Sequence, residues 1–403
     1  MQAVILAAGE GARMRPLTSR RPKPMLPVAN KPILEHLITE CSQAGVMEFV
    51  VIVGYQVEAI KAHFGDGSQW GVKMFYCLQE KALGTADAVR MAQGLVREKF
   101  LVMNGDIIVK KEDIAQLLKA DRITMAVREV EDITGLGVVE TSGGLVRHIY
   151  EKPEETVSKL ANAGVYLMTE QIFAAISQTP ESPRGEYELT HSLGMLIQQG
   201  DKIGCQAIDF WLNLSYPWDL LGANETLLRG LVSRNDGIVE EGVHIHGPCV
   251  IGNDTVVRSG SYIIGPVILG KNCDIGPNCY IRPSTAIADG CHIGAAVEVK
   301  NSIIMQGTKI PHQSYVGDSI IGEKCNIGAG TQVANLRFDH QNVRIGSLNT
   351  DRRKMGAILG NGVQTGINAT INAGTVMGDD VYVWPGTTVS GIIESGARII
   401  PAR

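Results

Sequence analysis

The second half of the chain repeats an aliphatic side chain at every sixth position. One such series contains Ile275, Ile281, Ile287, Ile293 and Val299. Others with the same spacing are Ile245, Ile251, Val257 and Ile263; Ile321, Ile327 and Val333; and Ile371, Met377, Val383 and Val389. A sandwich or barrel would show alternating strands about eight to twelve residues apart. A period of six instead matches the flat faces of a parallel β-helix, in which inward aliphatics stack from coil to coil.

The composition of this half supports the same interpretation. Residues 230–403 hold 26 of the 46 glycines, and they contain 24 isoleucines but only 5 leucines. This bias favours β structure. The rhythm breaks between Ala334 and Met355, so we predict a loop there that leaves the coils. Insertions of this kind commonly carry binding residues.

Residues 1–229 show a different pattern, in which short apolar runs alternate with amphipathic stretches. The predicted strands are Ala3–Ala7, Phe49–Val53, Lys73–Leu78, Phe100–Met103 and Thr124–Val127. The predicted helices are Ile33–Ala44, Ala86–Gln93 and Lys111–Ala120. Such alternation predicts an α/β domain with a mostly parallel sheet, followed by a β-helix domain over 230–403. Ligands bind such sheets at the carboxyl ends of the strands.

Composition narrows the classes of partner. The net charge is −5 and the pI is about 6.0, so we expect neither a nucleic-acid nor an anionic-membrane partner. The longest apolar runs have strand length, and Met1 leads directly into the first of them, so we expect no secretory signal. The 8 cysteines lack metal-binding spacing. Reduced thiols and a cytoplasmic location are expected.

The loop after the first strand is glycine-bearing and basic, running from Leu6 to Lys23. Gly9 and Gly11 allow backbone N–H groups to approach a polyanion, and Arg13 and Lys23 add positive charge. This pattern suits a triphosphate whose α-phosphorus is attacked. The loop is not a dinucleotide-binding fingerprint, because the third glycine and the acidic residue about twenty positions later are missing. It is not a Walker A loop either, because no Gly-Lys-Ser/Thr follows. The alternative is a surface turn with scattered basic residues.

The sequence LAAGEGARMRPLTSRRPKPMLPV in this loop resembles the signature of sugar-1-phosphate nucleotidyltransferases. The pattern of the whole chain is similar to the bifunctional uridylyltransferase/acetyltransferases that make UDP-N-acetylglucosamine, especially their archaeal branch. The resemblance implies a Rossmann-like nucleotidyltransferase domain followed by a left-handed parallel β-helix of hexapeptide repeats. It also implies a homotrimer or a multiple of trimers, with acetyl-CoA and UTP as co-substrates.

A magnesium site is expected where Asn104-Gly105-Asp106 ends an apolar run. Mg²⁺ favours one or two carboxylates together with phosphate oxygens, and the resemblance makes Asp106 the metal ligand. An Asx-turn that ends a strand is the structural alternative. The second ligand is left open between Asn213, where many relatives carry Asp, and Asp219.

The resemblance also distributes the substrate contacts of this domain. Gln79 and Thr85 face the pyrimidine base and Gly84 admits it closely, although a glycine turn with a threonine helix cap explains the same residues. The full nucleotide set is Leu6, Ala8, Gly9, Gln79, Gly84 and Thr85. The sugar phosphate is assigned to Gly137, Glu151, Lys152 and Asn162. The segment from Glu186 to Thr190 also matches the family but is interpreted as scaffold, with its acids on a solvated helix start.

In the β-helix, the resemblance extends to Arg282, Lys300, His312 and Tyr315. It makes His312 the base that takes a proton from the amine of glucosamine-1-phosphate, which is the role of a group titrating near neutral pH. The sugar phosphate is assigned to Arg282, Lys300, Tyr315, Asn326 and Asn335. Arg352 and Lys354 are assigned to coenzyme A, with a solvated basic turn as the alternative. Leu336 replaces the tyrosine of the bacterial pattern, which leaves the amino-sugar preference open.

Two functions follow as hypotheses. The first is a bifunctional enzyme that acetylates glucosamine-1-phosphate from acetyl-CoA and then transfers UMP from UTP to the product, with Mg²⁺. The second is a monofunctional sugar-1-phosphate nucleotidyltransferase whose β-helix is a structural or regulatory assembly module. The choice between UTP and dTTP is open, because uracil and thymine differ by one methyl group.

Overall fold

The computed structural model describes residues 1–153, 155 and 157–401, which form two compact units. The first unit contains Met1–Gly11, Arg21–Met25 and Pro32–Asn213. The second contains Ala12–Arg20, Leu26–Lys31 and the chain from Leu214 onward. The division between residues 229 and 230 stays a prediction. The contacts group the last helix before that point with the β-helix.

The eight helices and strands predicted for residues 1–229 are all present, and their ends agree with the prediction to within three residues. The strands are β1 Gln2–Ala7, β2 Pro27–Val28, β3 Lys31–Pro32, β4 Glu48–Val53, β5 Lys73–Leu78, β6 Lys99–Asn104, β7 Ile107–Val109, β8 Thr124–Glu129, β9 Gly137–Ser142, β10 Leu145–Glu151, β11 Leu160–Thr169, β12 Gly204–Ala207 and β13 Trp211–Asn213. The helices are α1 Ile33–Gln43, α2 Val57–Phe64, α3 Thr85–Arg90, α4 Lys111–Leu117, α5 Ile172–Ile176, α6 Leu189–Gln198 and α7 Asp219–Leu228.

The main sheet of the first unit has nine strands in the order β5-β4-β1-β6-β11-β8-β12-β10-β9. Strands β5, β4, β1 and β6 pair in parallel, which confirms the predicted strand–helix alternation. Beyond β6 the sheet is mixed, because only β8 and β12 are parallel there. The antiparallel part includes the hairpin of β9 and β10, which turns at Gly143 and Gly144 with positive φ.

Apolar clusters cover both faces of the sheet, as is usual for parallel strands in an α/β domain. Along β1, Ala3 and Ile5 join one apolar cluster with the inward side chains of α1. Val4 belongs to the opposite cluster, which includes the buried residues of α3 and α6. Because successive side chains of a strand point to opposite faces, β1 is anchored from both sides. The loop that follows β1 therefore starts from a fixed point.

The second unit contains a parallel β-helix built from three sheets, as the six-residue period predicts. The first sheet contains Arg234–Asn235, Cys249–Ile251, Val267–Leu269, Thr285–Ile287, Ile303–Ile304, Ile320–Ile321, Ile358–Leu359, Val376–Met377 and Ile392–Ile393. The second contains Ile238–Val239, Val256–Val257, Asp274–Ile275, His292–Ala295, Lys309–His312, Asn326–Ile327, Gln364–Thr365, Tyr382–Val383 and Arg398–Ile399. The third contains His244–His246, Tyr262–Ile264, Tyr280–Ile281, Glu298–Lys300, Tyr315–Gly317, Gln332–Val333, Thr370–Ile371 and Thr388–Val389.

Consecutive members of the aliphatic series lie on consecutive faces of the β-helix. Ile275 pairs with Ile293 in the second sheet, and Ile281 pairs with Val299 in the third. All four side chains are fully buried. The six-residue period therefore reports three flat faces per coil, consistent with the left-handed form that the resemblance implies.

The predicted break in the rhythm is also confirmed. Ile320–Ile321 pairs directly with Ile358–Leu359, so the chain between Val333 and Ile358 leaves the coil and returns to it. This insertion contains a small hairpin of Arg344–Ile345 with Leu348–Asn349. Val343 and Met355 are buried, so the insertion packs rather than extending freely. None of the described helices is long and apolar enough to cross a membrane.

The cysteines behave as small apolar residues. None of the 8 thiols of the protein forms a disulfide, and those of the β-helix are buried. The Cys279 thiol donates to the Gly294 carbonyl at 2.9 Å, and the Cys291 thiol to the Met305 carbonyl at 3.2 Å. Burial raises the pKa of the Cys279, Cys291 and Cys325 thiols to about 12. The reactive thiolate is therefore disfavoured there.

We expect these thiols to resist a disulfide reagent at pH 8 in the folded protein, and to react fully in denaturant. Half-buried Cys77 and Cys205 should react first. The folded state holds the buried protons more tightly than the unfolded chain, whose thiols titrate near 9.0. Stability from this source is therefore present below pH 9 and is lost as the pH rises toward 12. Rapid labelling of more than these two thiols would contradict the expectation.

Candidate active sites

The first candidate site is built where β1 and β6 end side by side. The Gly105 N–H donates to the Leu6 carbonyl at 2.9 Å. A Cβ at position 105 would lie only 2.9 Å from that carbonyl oxygen, so glycine is required. Ala8 is nearly buried, whereas a Cβ at Gly9 would meet nothing within 4 Å. The Asn-Gly-Asp segment is thus pressed against the start of the glycine-bearing loop.

This packing brings Lys23 and Asp106 together. The Lys23 Nζ lies 2.5 Å from the Asp106 Oδ2, and the lysine side chain is 10% exposed against 34% for the aspartate. Lys23 opens a single 3-10 turn, Lys23–Met25, which belongs to the same unit as Asp106. The pair therefore places an ammonium and a carboxylate side by side at the edge of the sheet. Fixed charges of this kind stabilise the charge that develops during transfer of a phosphoryl group.

The short ribbon of β7 and β13 bears on the second metal ligand. Asn213 pairs with Ile107, which directly follows Asp106 in the chain. The Asp219 carboxylate instead accepts the backbone N–H groups of Ser215 and Tyr216, both at 2.7 Å from Oδ2. The register thus places Asn213 beside the metal-binding candidate, while Asp219 closes a turn.

Arg13 has a partner that the sequence did not indicate. Its guanidinium carbon lies 5.5 Å from the centroid of the Tyr216 ring, and that ring stacks on Trp218 at 4.8 Å. A guanidinium over an aromatic face is attracted by the ring quadrupole. The exposed Arg13 is therefore oriented by aromatic residues of the segment that also holds the two candidate second metal ligands, Asn213 and Asp219.

The side chain of Gln79 is nearly buried and is fixed by a second polar residue. Its Nε2 donates to Asp87 Oδ2 at 2.7 Å, and Arg90 holds the other oxygen of that carboxylate at 2.5 Å. This leaves the side-chain carbonyl of Gln79 as the group available to a pyrimidine base. Sequence reasoning missed Asp87, although its spacing of three residues before Arg90 on a helix is a usable signal.

The structure gives Gly84 and Thr85 local reasons of their own. Gly84 has a φ of 108°, and a Cβ there would lie 2.5 Å from the Tyr187 carbonyl oxygen. The Thr85 hydroxyl accepts the Leu189 N–H at 2.9 Å, at the start of α6. The alternative of a threonine cap on α3 is therefore wrong, because Gly84 is the N-cap residue of α3 and makes no side-chain cap hydrogen bond, while Thr85 binds the first turn of α6. The roles of both residues toward a nucleotide stay predictions.

Three of the sugar-directed motifs converge at β9, β10 and β11. A Cβ on Gly137 would lie 3.4 Å from Glu151 Oε2 and 3.6 Å from the Asn162 Cβ. The Asn162 amide donates to the Tyr166 hydroxyl at 2.7 Å and its carbonyl accepts the Gly164 N–H at 3.0 Å. Lys152 follows Glu151, with its Nζ 3.9 Å from Glu151 Oε1. Motifs that are far apart in sequence thus share one surface.

Two charged residues of this cluster were missed. Arg184 Nη2 donates to Glu188 Oε1 at 2.7 Å and to Glu151 Oε1 at 3.2 Å. The interpretation of Glu188 as a solvated acid is wrong, because its side chain is only 6% exposed. Burial acts to raise the pKa of Glu188, but the hydrogen bonds from Arg184 and Ser182 outweigh it and lower that pKa. Arg184 therefore fixes the carboxylate predicted to meet the sugar.

The second candidate site lies on the third sheet of the β-helix. Ile281 pairs with Val299, so Arg282 and Lys300 occupy equivalent positions on neighbouring coils. Arg282 Nη1 donates to Glu298 Oε1 at 2.8 Å, and its guanidinium lies over the Tyr280 ring at 5.5 Å. Hydrogen bonding to Glu298 raises the pKa of Arg282. The two predicted phosphate-binding cations therefore stack along one face.

Tyr315 and Asn335 join the same face. The Asn335 Nδ2 donates to the Tyr315 hydroxyl at 3.0 Å and to Asp318 Oδ2 at 2.5 Å. Lys300 Nζ lies 2.8 Å and 3.1 Å from the two oxygens of Asp318. Burial raises the pKa of Tyr315. Asp318, which the sequence analysis did not single out, is thus the common partner of two predicted sugar-phosphate residues.

His312 and Asn326 lie on the second sheet. His312 ends the strand Lys309–His312, three residues before Tyr315, and its ring is exposed. Among the described residues, the ring has no hydrogen-bond or ion-pair partner. Asn326 pairs with Lys309 and Gln364 on the same sheet. The structure therefore does not bring Asn326 into the cluster of the third sheet.

The two residues assigned to coenzyme A differ. Arg352 Nη2 donates to Glu225 Oε1 of α7, and the same oxygen accepts Asn301 Nδ2 at 2.9 Å. The Arg352 side chain is only 20% exposed. Lys354 is exposed, and its backbone bridges to Leu336 within the insertion. Of the pair, only Lys354 presents its charge to solvent.

Comparison with known proteins agrees with this architecture. Residues 2–230 match the family model described as nucleotidyl transferase, and residues 263–400 match a model described as GMPPB C-terminal domain. A solved structure described as a putative glucose-1-phosphate thymidylyltransferase from Bacillus anthracis is similar, with a TM-score of 0.53 and 26% identity. The similarity covers 58% of this chain and 98% of the chain in that structure. The chain is thus a member of the nucleotidyl transferase family.

Relatives from archaea match nearly the entire chain. "Bifunctional protein GlmU" of Methanococcus maripaludis is 41% identical over 98% of this chain and 96% of its own length. The "bifunctional sugar-1-phosphate nucleotidylyltransferase/acetyltransferase" of Sulfurisphaera tokodaii is 37% identical over 98% and 99% respectively. Within the wider family, the chain therefore belongs to the bifunctional sugar-1-phosphate nucleotidylyltransferase/acetyltransferases. This confirms the predicted enzyme class, and the monofunctional alternative is not favoured.

Gly84 provides a test of the packing beside Gln79. We expect Gly84→Ala to lower the free energy of unfolding by about 1–3 kcal/mol more than Gly94→Ala, because the added methyl collides with the Tyr187 backbone. Gly94 is the matched control, since its φ is 81° but nothing lies within 4 Å of its Cβ position. Chemical denaturation measures both. An equal loss in the two variants would show that only backbone strain matters.

Proposed function

We propose that this protein acetylates glucosamine-1-phosphate with acetyl-CoA and then joins UMP from UTP to N-acetylglucosamine-1-phosphate, releasing pyrophosphate. The observation that carries the proposal is the grouping of Arg282, Lys300, Tyr315 and Asn335 on one face of the β-helix. A coil that served only assembly would have no use for two stacked cations and a buried carboxylate beside them. The Lys23–Asp106 pair supports the second reaction in the same way.

Nucleotidyl transfer requires positioning and charge neutralisation rather than a base. The sugar phosphate oxygen, already ionised, attacks the α-phosphorus of UTP, and the bond to pyrophosphate breaks. Lys23 and Arg13 neutralise the developing charge, and Glu151 and Asn162 orient the sugar. Gln79 offers its carbonyl to the imide N–H of the base.

The residues beside Lys23 fit a magnesium ion. The Asp106 carboxylate is one-third exposed, and Asn213 pairs with Ile107, the residue that directly follows Asp106, so a carboxylate and an amide come from adjoining positions of the ribbon. Hard oxygen ligands in small number are what Mg²⁺ takes when phosphates complete its shell. The ion would neutralise phosphate charge when bound. We assign the second ligand to Asn213 rather than Asp219, whose carboxylate is occupied by its turn.

Acetyl transfer requires a base and an anchored phosphate. The amine nitrogen of the sugar attacks the thioester carbonyl, a C–N bond forms, the C–S bond breaks, and the thiolate of coenzyme A leaves. His312 takes the proton from the amine. Arg282 and Lys300 hold the sugar phosphate, and Tyr315 and Asn335 contact the ring. Lys354 is the better candidate of the predicted pair for a coenzyme A phosphate, because Arg352 is engaged by Glu225.

The assembly, the location and the choice of nucleotide complete the proposal. We retain the homotrimer, or a multiple of it, from the resemblance of the β-helix. A cytoplasmic location fits the absence of disulfides among the cysteines. The net charge of −5 fits small-molecule substrates rather than nucleic acid or membrane. UTP is proposed over dTTP from the resemblance of the sequence to the bifunctional uridylyltransferase/acetyltransferases.

The first site is tested by Lys23→Met and Asp106→Asn. Each should lower UMP transfer by about 10² or more, the loss expected for one stabiliser of transition-state charge. Acetyl transfer should persist, since these residues lie outside the β-helix. Lys110→Met is the matched control, because it removes a lysine–carboxylate pair with Glu40 at 2.7 Å elsewhere in the unit. Parallel loss of both activities in folded variants would contradict two separate sites.

The second site is tested by His312→Ala in an assay of thiol release from acetyl-CoA with glucosamine-1-phosphate. Acetyl transfer should fall by roughly 10²–10⁴, the usual contribution of a positioned base. UMP transfer to N-acetylglucosamine-1-phosphate should be unchanged. His246→Ala, which alters another exposed histidine of the β-helix, should retain both activities. If the folded parent protein released no coenzyme A, the acetyltransferase assignment would fail.

A further inference from the structure

Asp318 is a buried carboxylate at the centre of the second site. It is 2% exposed, and its backbone has a left-handed φ of 50°. Lys300 Nζ contacts both of its oxygens, Asn301 Nδ2 donates to Oδ1 at 2.8 Å, and Asn335 Nδ2 donates to Oδ2 at 2.5 Å. Among the described residues, the side chains that hydrogen-bond to the Asp318 carboxylate therefore belong to the predicted sugar-phosphate set or directly follow a member of it.

These contacts fix directions as well as distances. An ammonium has three N–H donors, and the Lys300 Nζ lies within hydrogen-bond distance of both Asp318 oxygens, so the carboxylate holds the ammonium while donor capacity is left for a further acceptor. An amide has two N–H donors, and those of Asn335 are divided between Asp318 and the Tyr315 hydroxyl. Without the carboxylate, both side chains would regain rotamer freedom that substrate binding would have to remove again.

A second carboxylate continues the network to the insertion. Asn301 also donates to Glu225 of α7, and Glu225 accepts Arg352 of the insertion. Carboxylates thus alternate with donors from Lys300 to Arg352. A buried ion pair is weak support for stability, because apolar residues of similar volume stabilise equally well. These carboxylates contact residues that are predicted to bind the substrates, and this location indicates a role in function.

We propose that Asp318 is a positioning residue for acetyl transfer. Its carboxylate orients the Lys300 ammonium and the Asn335 amide toward the sugar phosphate, and Glu225 supports it through Asn301. This rests on the proposed acetyltransferase function. Asp318 touches no substrate; it acts through Lys300 and Asn335.

The test is Asp318→Asn, which keeps the volume but turns an N–H group toward donors that need an acceptor. The KM for glucosamine-1-phosphate in acetyl transfer should rise by about ten- to a hundredfold, the range found when an outer partner of a ligating side chain is lost. The KM for acetyl-CoA and the rate of UMP transfer should hold. Calorimetric titration with glucosamine-1-phosphate measures the same loss without turnover.

Asp379→Asn is the matched control. Asp379 is another buried carboxylate of the β-helix, 5% exposed, and it accepts the Asn361 N–H at 2.6 Å. Its variant should lower the melting temperature without changing the KM for the sugar phosphate. An unchanged KM in folded Asp318→Asn, or an equal rise in Asp379→Asn, would overturn the positioning role.

Glu225→Gln keeps the proposal testable if Asp318→Asn does not fold. It should raise the same KM in the same direction by a smaller factor, and an unchanged KM would overturn the proposal. Failure of the proposed function looks different, because the parent protein itself would then release no coenzyme A. An active parent with unaffected variants removes only Asp318 and Glu225 from the site.

Discussion

The stacking of one aliphatic side chain upon the next, coil after coil, is the constraint on which the second half of this protein depends. Ile275 pairs with Ile293, which pairs with Ile310, and all three are fully buried. Each coil is thereby fixed in register with the last, so outward residues are fixed too. Arg282 and Lys300 share a face because Ile281 and Val299 pair inside. The chemistry of the surface is thus ordered by the packing of the interior.

The first unit reaches a comparable precision by another route. Its central strand is buried on both faces, and the loop after it is pressed by Gly105. Two glycines, Gly84 and Gly164, allow segments distant in sequence to approach closely; a Cβ on Gly164 would collide with the Asn104 side chain. Charged residues then meet across these contacts, as Lys23 does with Asp106. The close approach of backbone segments at the glycines thus sets the positions at which the charged side chains meet.

The sequence allowed more of the fold to be predicted than of the site. Six-residue periodicity reports an inward side chain directly, so the β-helix and its interruption could be read from the residues alone. Asp318 and Glu188 could not, because an acidic residue in the sequence does not reveal whether it is buried. Tertiary packing also decides which charged residues meet: Glu225 and Arg352, which pair in the structure, are 127 residues apart in the sequence. The mixed half of the sheet was missed for a similar reason, since strand direction depends on pairing.

The insertion between Val333 and Ile358 illustrates how forgiving a solenoid is. Ile320 pairs with Ile358 as though nothing stood between them, whereas its counterpart one coil earlier, Ile303, pairs with Ile320 after an ordinary turn of the coil. The coils above and below therefore make no demand on the length of what is inserted. A lineage could lengthen, shorten or rewrite this segment while leaving the solenoid intact, because the entropy of closing a longer loop grows only slowly. The rigid coil thus leaves the length of this segment open, while Arg352, which pairs with Glu225, limits which residues the segment can carry.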